Sequence, residues 1–151
     1  MIKKEENYAI LIWKTPVINC ESMFCNCDHI LEMNLTHFNT AQVTNMKSMF
    51  LDCLLLTLVD FSNIDTSNVV NMGRMFQGCS SLISIDLYAF DISNNKNIGT
   101  MFLNCSSLKV INISHFNTQN IEYMDNLFNG SSLISIYFEN IDMTKVIFLD
   151  I

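Results

Sequence analysis

The chain has 151 residues, of which half are hydrophobic and 15% are charged, so it can fold around a substantial core. Its 15 acidic residues against 8 basic ones give a net charge of −7, and no run of Lys or Arg occurs. Because nucleic acids and anionic membrane surfaces are bound through basic patches, this balance argues against both as partners.

Residues 1–18 form the first distinct segment, which we predict to be an atypical unit or cap. Its apolar stretch is interrupted by Lys14 and Pro16, which leaves it too short for the hydrophobic region of a signal peptide. No segment reaches the roughly 18 consecutive apolar residues that a membrane span requires. We therefore expect no signal peptide in this sequence and no membrane insertion, and we expect Trp13 to cover the unit that follows.

From residue 19 onward the sequence repeats with a period of 26 residues. The segments NMKSMFLDC from Asn45, NMGRMFQGC from Asn71 and NIGTMFLNC from Asn97 carry their Met-Phe pair at the same position. One short unit cannot bury its own apolar face, so such a period is typical of stacked units that share a core. We predict about five units over residues 19–151, the last of which is one residue short and incomplete.

Each unit contains two hydrophobic patterns. In the first, residues such as Met72, Met75 and Phe76 are three or four positions apart, which predicts a helical or 3-10 turn. In the second, residues such as Ile85 and Leu87 alternate with polar ones, which predicts a short strand in a parallel sheet. The predicted repeating core consists of Met49, Phe50, Cys53, Leu56, Met75, Phe76, Cys79, Leu82, Met101, Phe102, Cys105 and Leu108.

The unit VVNMGRMFQGCSSLISIDLYAFDIS resembles the repeat of BspA-like leucine-rich-repeat surface proteins, a group of bacterial surface proteins and lipoproteins. The resemblance recurs in phase over about residues 17–149, with departures at Cys20, Ile92 and Ile98. It implies an α/β solenoid, a right-handed leucine-rich-repeat coil with a parallel β-sheet on the concave face and short helical or 3-10 turns on the convex side. It also implies adhesion or protein binding at a cell surface, and it supplies no catalytic residues.

The cysteines allow a structural and a metal-binding interpretation. Four of them share one position of the repeat: Cys27, Cys53, Cys79 and Cys105. Neighbours in such a column are close enough for disulfides in principle, but a recurrent cysteine in a packed turn usually behaves as a small hydrophobe. We predict buried, reduced thiols. A further cluster contains Cys20, Cys25, Cys27, Asp28 and His29. Its spacing fits no zinc site, so we predict no metal and no cofactor.

The outward positions of the predicted strands form the candidate binding surface. They mix aromatic, aliphatic, acidic and amide side chains without strong charge, as binding surfaces of repeat proteins often do. The candidate residues are Leu58, Asp60, Asp86, Tyr88, Val110, Asn112 and Tyr137. For any single residue the alternative is an ordinary solvated strand position.

A further row of Asn and Asp residues follows the predicted strands. Its members are Asn39, Asp65, Asp91, Asn117 and Asp142. Their short side chains are suited to accept backbone N–H groups at a repeated turn. A ladder of calcium sites is the alternative, but Asn alternates with Asp and glycine-rich binding repeats are absent.

We predict a non-enzymatic protein- or glycan-binding repeat module, which the resemblance places at a cell surface or in secretion. The alternative is an intracellular protein–protein interaction scaffold in the cytoplasm, favoured by the missing signal and the free thiols. An enzyme ranks third, because His37 and His115 share a repeat position but lie three units apart, too far for a catalytic pair.

The carboxyl-terminal stretch MTKVIFLDI breaks off where the next Met-Phe turn should begin. Stacked repeats normally finish with a polar capping unit, because the last unit otherwise exposes its apolar inner face. We therefore expect end-to-end self-association through the last unit, with Phe148 and Leu149 at the contact.

Overall fold

A computed structural model describes residue 11, residues 13–139 and residues 141–147. We number the repeats 1 to 5, covering residues 19–44, 45–70, 71–96, 97–122 and 123–147. Parallel bridges join equivalent positions of consecutive repeats, in the order Asn19, Asn45, Asn71, Asn97 and Tyr123. The repeats therefore stack in sequence order. We call the side formed by residues 19–27 of repeat 1 and their equivalents the turn side.

The strand side comprises residues 31–38 of repeat 1 and their equivalents. Its four strands are β1 (Glu32–Asn34), β2 (Leu58–Asp60), β3 (Val110–Asn112) and β4 (Ser135–Tyr137). β1 pairs in parallel with β2, and β3 pairs in parallel with β4. The equivalent segment of repeat 3, residues 84–86, forms no strand and joins β3 only through a bridge between Ser84 and Val110. The strand side is thus divided at repeat 3.

The predicted α/β solenoid is wrong. Within the described residues there is no α-helix and no 3-10 helix, and the strands form two separate two-stranded sheets instead of one continuous sheet. No helix in this part of the chain could cross a membrane. Phe148 and Leu149, where we expected self-association, lie outside the described residues.

Left-handed backbone conformations explain the missing helix. In repeat 2, Ser48 (φ 56°) precedes the Met-Phe pair and Asp52 (φ 57°) follows it. An α-helix needs consecutive residues in the right-handed region, so these two positions interrupt it. The same positions have positive φ in every repeat, at Ser22, Asn26, Ser48, Asp52, Arg74, Gly78, Thr100, Asn104, Asn126 and Gly130.

Hydrogen bonds on the turn side alternate between two kinds of partner. Phe50 N–H donates to the carbonyl oxygen of Met75 in the next repeat at 2.8 Å, whereas Leu51 N–H donates to the carbonyl oxygen of Ser48 at 3.1 Å. The backbone groups are thereby satisfied without a helix. Successive turns still direct side chains inward at intervals of three and four residues, which is why the sequence pattern imitates a helix.

The predicted core residues all lie in the interior, none exposing more than 1% of its surface. Phenylalanine rings form a continuous stack through the repeats. The centroid distances are 5.4 Å for Phe24–Phe50, 5.4 Å for Phe50–Phe76, 5.5 Å for Phe76–Phe102 and 5.7 Å for Phe102–Phe128. Trp13, from the segment predicted to be a cap, lies 4.6 Å from the ring of Phe38.

Side-chain hydrogen bonds close the turns between repeats. The predicted Asx turns are confirmed, since Asp91 accepts from the N–H of Ser93 at 2.8 Å and the other members of its row do the same two residues on. A second series on the turn side was not predicted. It consists of Asn19, Asn45, Asn71 and Asn97, each accepting from the N–H two residues on.

Candidate binding surface

The predicted binding residues are spread over four segments of the strand side. Leu58 and Asp60 lie in β2, Val110 and Asn112 lie in β3, and Tyr137 lies in β4. Asp86 and Tyr88 lie in repeat 3, between the two sheets. The structure therefore brings Asp86 and Tyr88 together with Asn112 of repeat 4 in one pocket. The other four candidates, Leu58, Asp60, Val110 and Tyr137, do not line it.

The acidic and amide members of this surface also have a structural role. Asp60 accepts a hydrogen bond from the N–H of Ser62 at 3.0 Å, and Asn112 accepts one from Ser114 at 3.0 Å. These Asx turns end the strands. Closing these turns is a sufficient structural reason for Asp60 and Asn112, so their presence does not by itself indicate a ligand site.

Repeat 3 departs from this arrangement at Tyr88. In three other repeats a hydroxyl two residues on also donates to the Asx oxygen, from Thr36 to Asn34, Ser62 to Asp60 and Ser114 to Asn112. The Ser62 hydroxyl and N–H hold the pKa of Asp60 below its usual range. Among the described residues, Asp86 receives only the N–H of Tyr88, at 2.9 Å, and Tyr88 is 84% exposed. The Asp86 carboxylate thus keeps more free acceptor positions than its equivalents.

A pocket opens where the backbone ladder is incomplete. Leu35 N–H donates to the Asp60 carbonyl at 3.0 Å, and Ile113 N–H donates to the Tyr137 carbonyl at 2.8 Å. Among the described residues the two equivalent bonds on either side of repeat 3, from Phe61 and from Leu87, are not formed. The resulting pocket measures about 280 Å³ and is lined by Ile85, Asp86, Leu87, Tyr88, Asn112 and His115.

His115 is a pocket residue that the sequence did not suggest for binding. Its Nε2 lies 3.0 Å from the carbonyl oxygen of Leu87, to which it donates, and its ring centroid is 5.9 Å from that of Tyr88. In the neutral imidazole this leaves Nδ1 as an acceptor. One sequence signal for this site was available. Repeat 3 has Tyr88 and Ala89 at the positions that Ser114 and His115 occupy in repeat 4.

Exposed aliphatic side chains lie in repeats 1 to 3 near the start of the strand segments. We call them the aliphatic patch, which consists of Leu31, Leu54, Leu55, Leu58 and Ile83. Leu31 and Thr57 of adjacent repeats are joined by a backbone hydrogen bond of 2.8 Å. Exposed apolar residues on one side of a protein are a feature of many protein interaction sites.

The comparisons with known proteins show one family. A family model described as "Mycoplasma protein of unknown function, DUF285" matches residues 18–140, which is most of the chain. The chain belongs to the DUF285 family. No curated protein and no solved structure matches it. The description as a BspA-like leucine-rich-repeat solenoid is therefore corrected: the family that matches is DUF285, and the structure lacks the expected helical turns and continuous sheet.

The thiols of this DUF285 chain are unpaired in the structure. Cys53, Cys79 and Cys105 are buried, and each Sγ donates to a phenylalanine carbonyl of the preceding repeat, at 3.0, 3.2 and 3.1 Å. Burial raises the pKa of Cys53 to about 11 and that of Cys105 to about 12. Such thiols are poor nucleophiles.

Cys25 and Cys27 are only half-buried. Within the described residues, no group of three or more His, Cys, Asp or Glu side chains is arranged to hold a metal ion.

Proposed function

We propose that this DUF285 chain is a non-enzymatic binding module for a protein ligand, with the strand side of repeats 2–4 as its binding surface. The observation that carries the proposal is the departure of repeat 3. Tyr88 occupies the position where the neighbouring repeats have a serine, and its exposed ring borders a pocket. Exposed aromatic residues beside a pocket are frequent anchors of protein interfaces.

A protein ligand is favoured over a glycan because the aliphatic patch adjoins the same side. Leu58 in β2 is half-exposed, and Ile83 lies one residue before the bridge that joins repeat 3 to β3. Aliphatic side chains contribute to binding chiefly by burial against another apolar surface, which a protein provides. The module serves either at a cell surface or as an intracellular scaffold, and the surface argued here fits both settings.

The test compares capture by three immobilised chains: the parent, Tyr88→Ser and Arg74→Ser. The serine at 88 restores the residue found in repeats 2 and 4, so its fold should be preserved, whereas Arg74 is exposed on the turn side. We expect a protein captured by the parent to be retained by Arg74→Ser and lost with Tyr88→Ser. Equal capture by all three would contradict the proposed surface. A glycan array probed with the same chains would identify the alternative ligand class.

A further inference from the structure

We propose that the Tyr88 pocket binds a guanidinium group, and hence an arginine side chain of the protein ligand; this rests on the proposed function. Asp86 provides the first part of the argument. It is the only carboxylate side chain among the lining residues, and it accepts a single hydrogen bond within the described part of the chain. The two ion pairs described, Lys47–Glu21 and Lys96–Glu122, do not involve it. Its charge is therefore available to a cationic ligand.

The other lining groups favour a flat cation with several donors. In its neutral form, the His115 imidazole that donates from Nε2 to Leu87 has Nδ1 as an acceptor. The ring of Tyr88 offers an aromatic face, and Ile85 and Leu87 offer apolar contact. A guanidinium carries five N–H donors, pairs bidentately with a carboxylate and stacks on aromatic rings. An ammonium lacks the planar geometry, and a neutral sugar gains no charge–charge attraction from the Asp86 carboxylate.

The charge of the whole chain supports a basic partner. A net charge of −7 attracts positively charged proteins over long distances and speeds their association at low ionic strength. The pocket adds a specific contact to this general attraction. Together they predict a ligand with at least one exposed arginine beside an apolar surface that can cover the aliphatic patch.

The experiment uses the full chain and small probes, observed by NMR through the amides of Tyr88, Asn112 and His115. The probes are N-acetyl-arginine amide, its neutral isostere N-acetyl-citrulline amide, N-acetyl-lysine amide and methyl glucoside. We expect saturable shifts with the arginine probe, at an affinity about tenfold higher than that of citrulline or lysine.

Asp86→Asn provides the decisive variant. Asparagine occupies this position in repeats 1 and 4, where Asn34 and Asn112 close the same turn, so the substitution removes charge without removing the turn acceptor. We expect it to abolish the preference for arginine over citrulline. Asp91→Asn is the matched control, because it removes a charge from an Asx turn of the same repeat outside the pocket. It should leave the preference intact.

Several results would overturn the inference. These are equal shifts by arginine and citrulline, equal shifts by arginine and lysine, saturation by methyl glucoside alone, no shifts at all, or an arginine preference that survives Asp86→Asn. Such a failure is distinguishable from failure of the proposed function. Protein capture that depends on Tyr88 would then still stand, with a different group in the pocket.

Discussion

At the scale of single residues, the cysteines show how a shared repeat position translates into chemistry. Cys53, Cys79 and Cys105 have equivalent neighbours, and each is enclosed between the repeats on either side of it. Cys27 has the same position in repeat 1, yet it is only half-buried, as is Cys25. We therefore expect the reactivity of each thiol to depend on which repeat it belongs to, and not only on its position within the repeat.

Thiol labelling tests this difference. We expect a maleimide reagent to modify Cys25 and Cys27 rapidly in the native protein, while the four buried thiols, Cys20, Cys53, Cys79 and Cys105, react only on unfolding. Peptide mass spectrometry after a short pulse identifies the modified sites, with a denatured sample as the control. Rapid modification of Cys79 in the native chain would contradict the described packing.

Burial of the thiols also predicts a loss of stability in alkali. Burial raises the pKa of Cys105 from 9.0 to about 12, so the folded chain retains a proton that the unfolded chain releases. This contribution is complete below pH 9 and declines by about 1.4 kcal/mol per pH unit as the pH rises towards the folded-state value. Urea unfolding between pH 8 and 10.5 should show a shallower decline for Cys105→Ala than for the parent. Parallel declines would show that this thiol does not titrate differently in the two states.

At the scale of structural elements, the period predicted which residues face the core but not the conformation that places them there. Met72, Met75 and Phe76 follow helical spacing, and they are buried as expected. The first left-handed position of each repeat holds residues such as Ser48, Arg74 and Thr100, which rarely adopt that region and so give no sequence signal for it. The second holds Asn, Asp or Gly, which favour that region but are equally typical of the end of a helix. The hydrogen bonds to the next repeat stabilise a backbone that local propensity does not favour.

Buried threonines join the repeats just beyond the strand side, and one of them offers a test. The hydroxyl of Thr66 accepts from the Asp91 N–H at 2.8 Å and donates to the Asp91 carbonyl at 2.9 Å. Thr66→Val keeps the shape but leaves both groups without this partner, which should cost about 1–3 kcal/mol. Thr66→Ser keeps the hydroxyl and should cost less. Urea unfolding compares them, and a valine variant as stable as the parent would show that the bridge contributes nothing.

The division of the strand side should be visible in hydrogen exchange. Phe61 and Leu87 occupy the ladder position at which Leu35 and Ile113 donate to the next repeat, but their own bonds are not formed in the described structure. We expect the amides of Phe61 and Leu87 to exchange at least about tenfold faster than those of Leu35 and Ile113. Phe50, bonded across repeats on the turn side, should stay protected. Equal protection at all four ladder positions would mean that the strand side is continuous in solution.

At the scale of the whole molecule, the repeat predicted the stacking order and the outward rows but not the place where the rows separate. The alternation of the strand segments is enough to predict that Asp86, Tyr88 and Asn112 face outward. Their pocket could not be predicted, because it depends on hydrogen bonds that fail to form around repeat 3. His115 was missed for the same reason, since its partner Leu87 lies 28 residues away.

The last repeat carries a prediction about association. β4 pairs with β3 along one edge, and in the described chain no strand pairs with its other edge. Ile134 and Phe138, which flank β4, are 78% and 59% exposed. An unpaired strand edge beside exposed apolar side chains is a template for contact with another chain. We expect the purified protein to self-associate through β4 as its concentration rises.

Light scattering over a concentration series measures this association, and a charge at the strand edge should weaken it. We expect Phe138→Lys to shift the onset of association to about tenfold higher concentration, as loss of roughly 1.4 kcal/mol of contact energy would do. Ile83→Lys is the matched control, because Ile83 is equally exposed, at 59%, but belongs to repeat 3. It should associate like the parent if β4 is the contact. A parent chain that remains monomeric throughout would rule out the contact, and an equal effect of both substitutions would move it to the aliphatic patch.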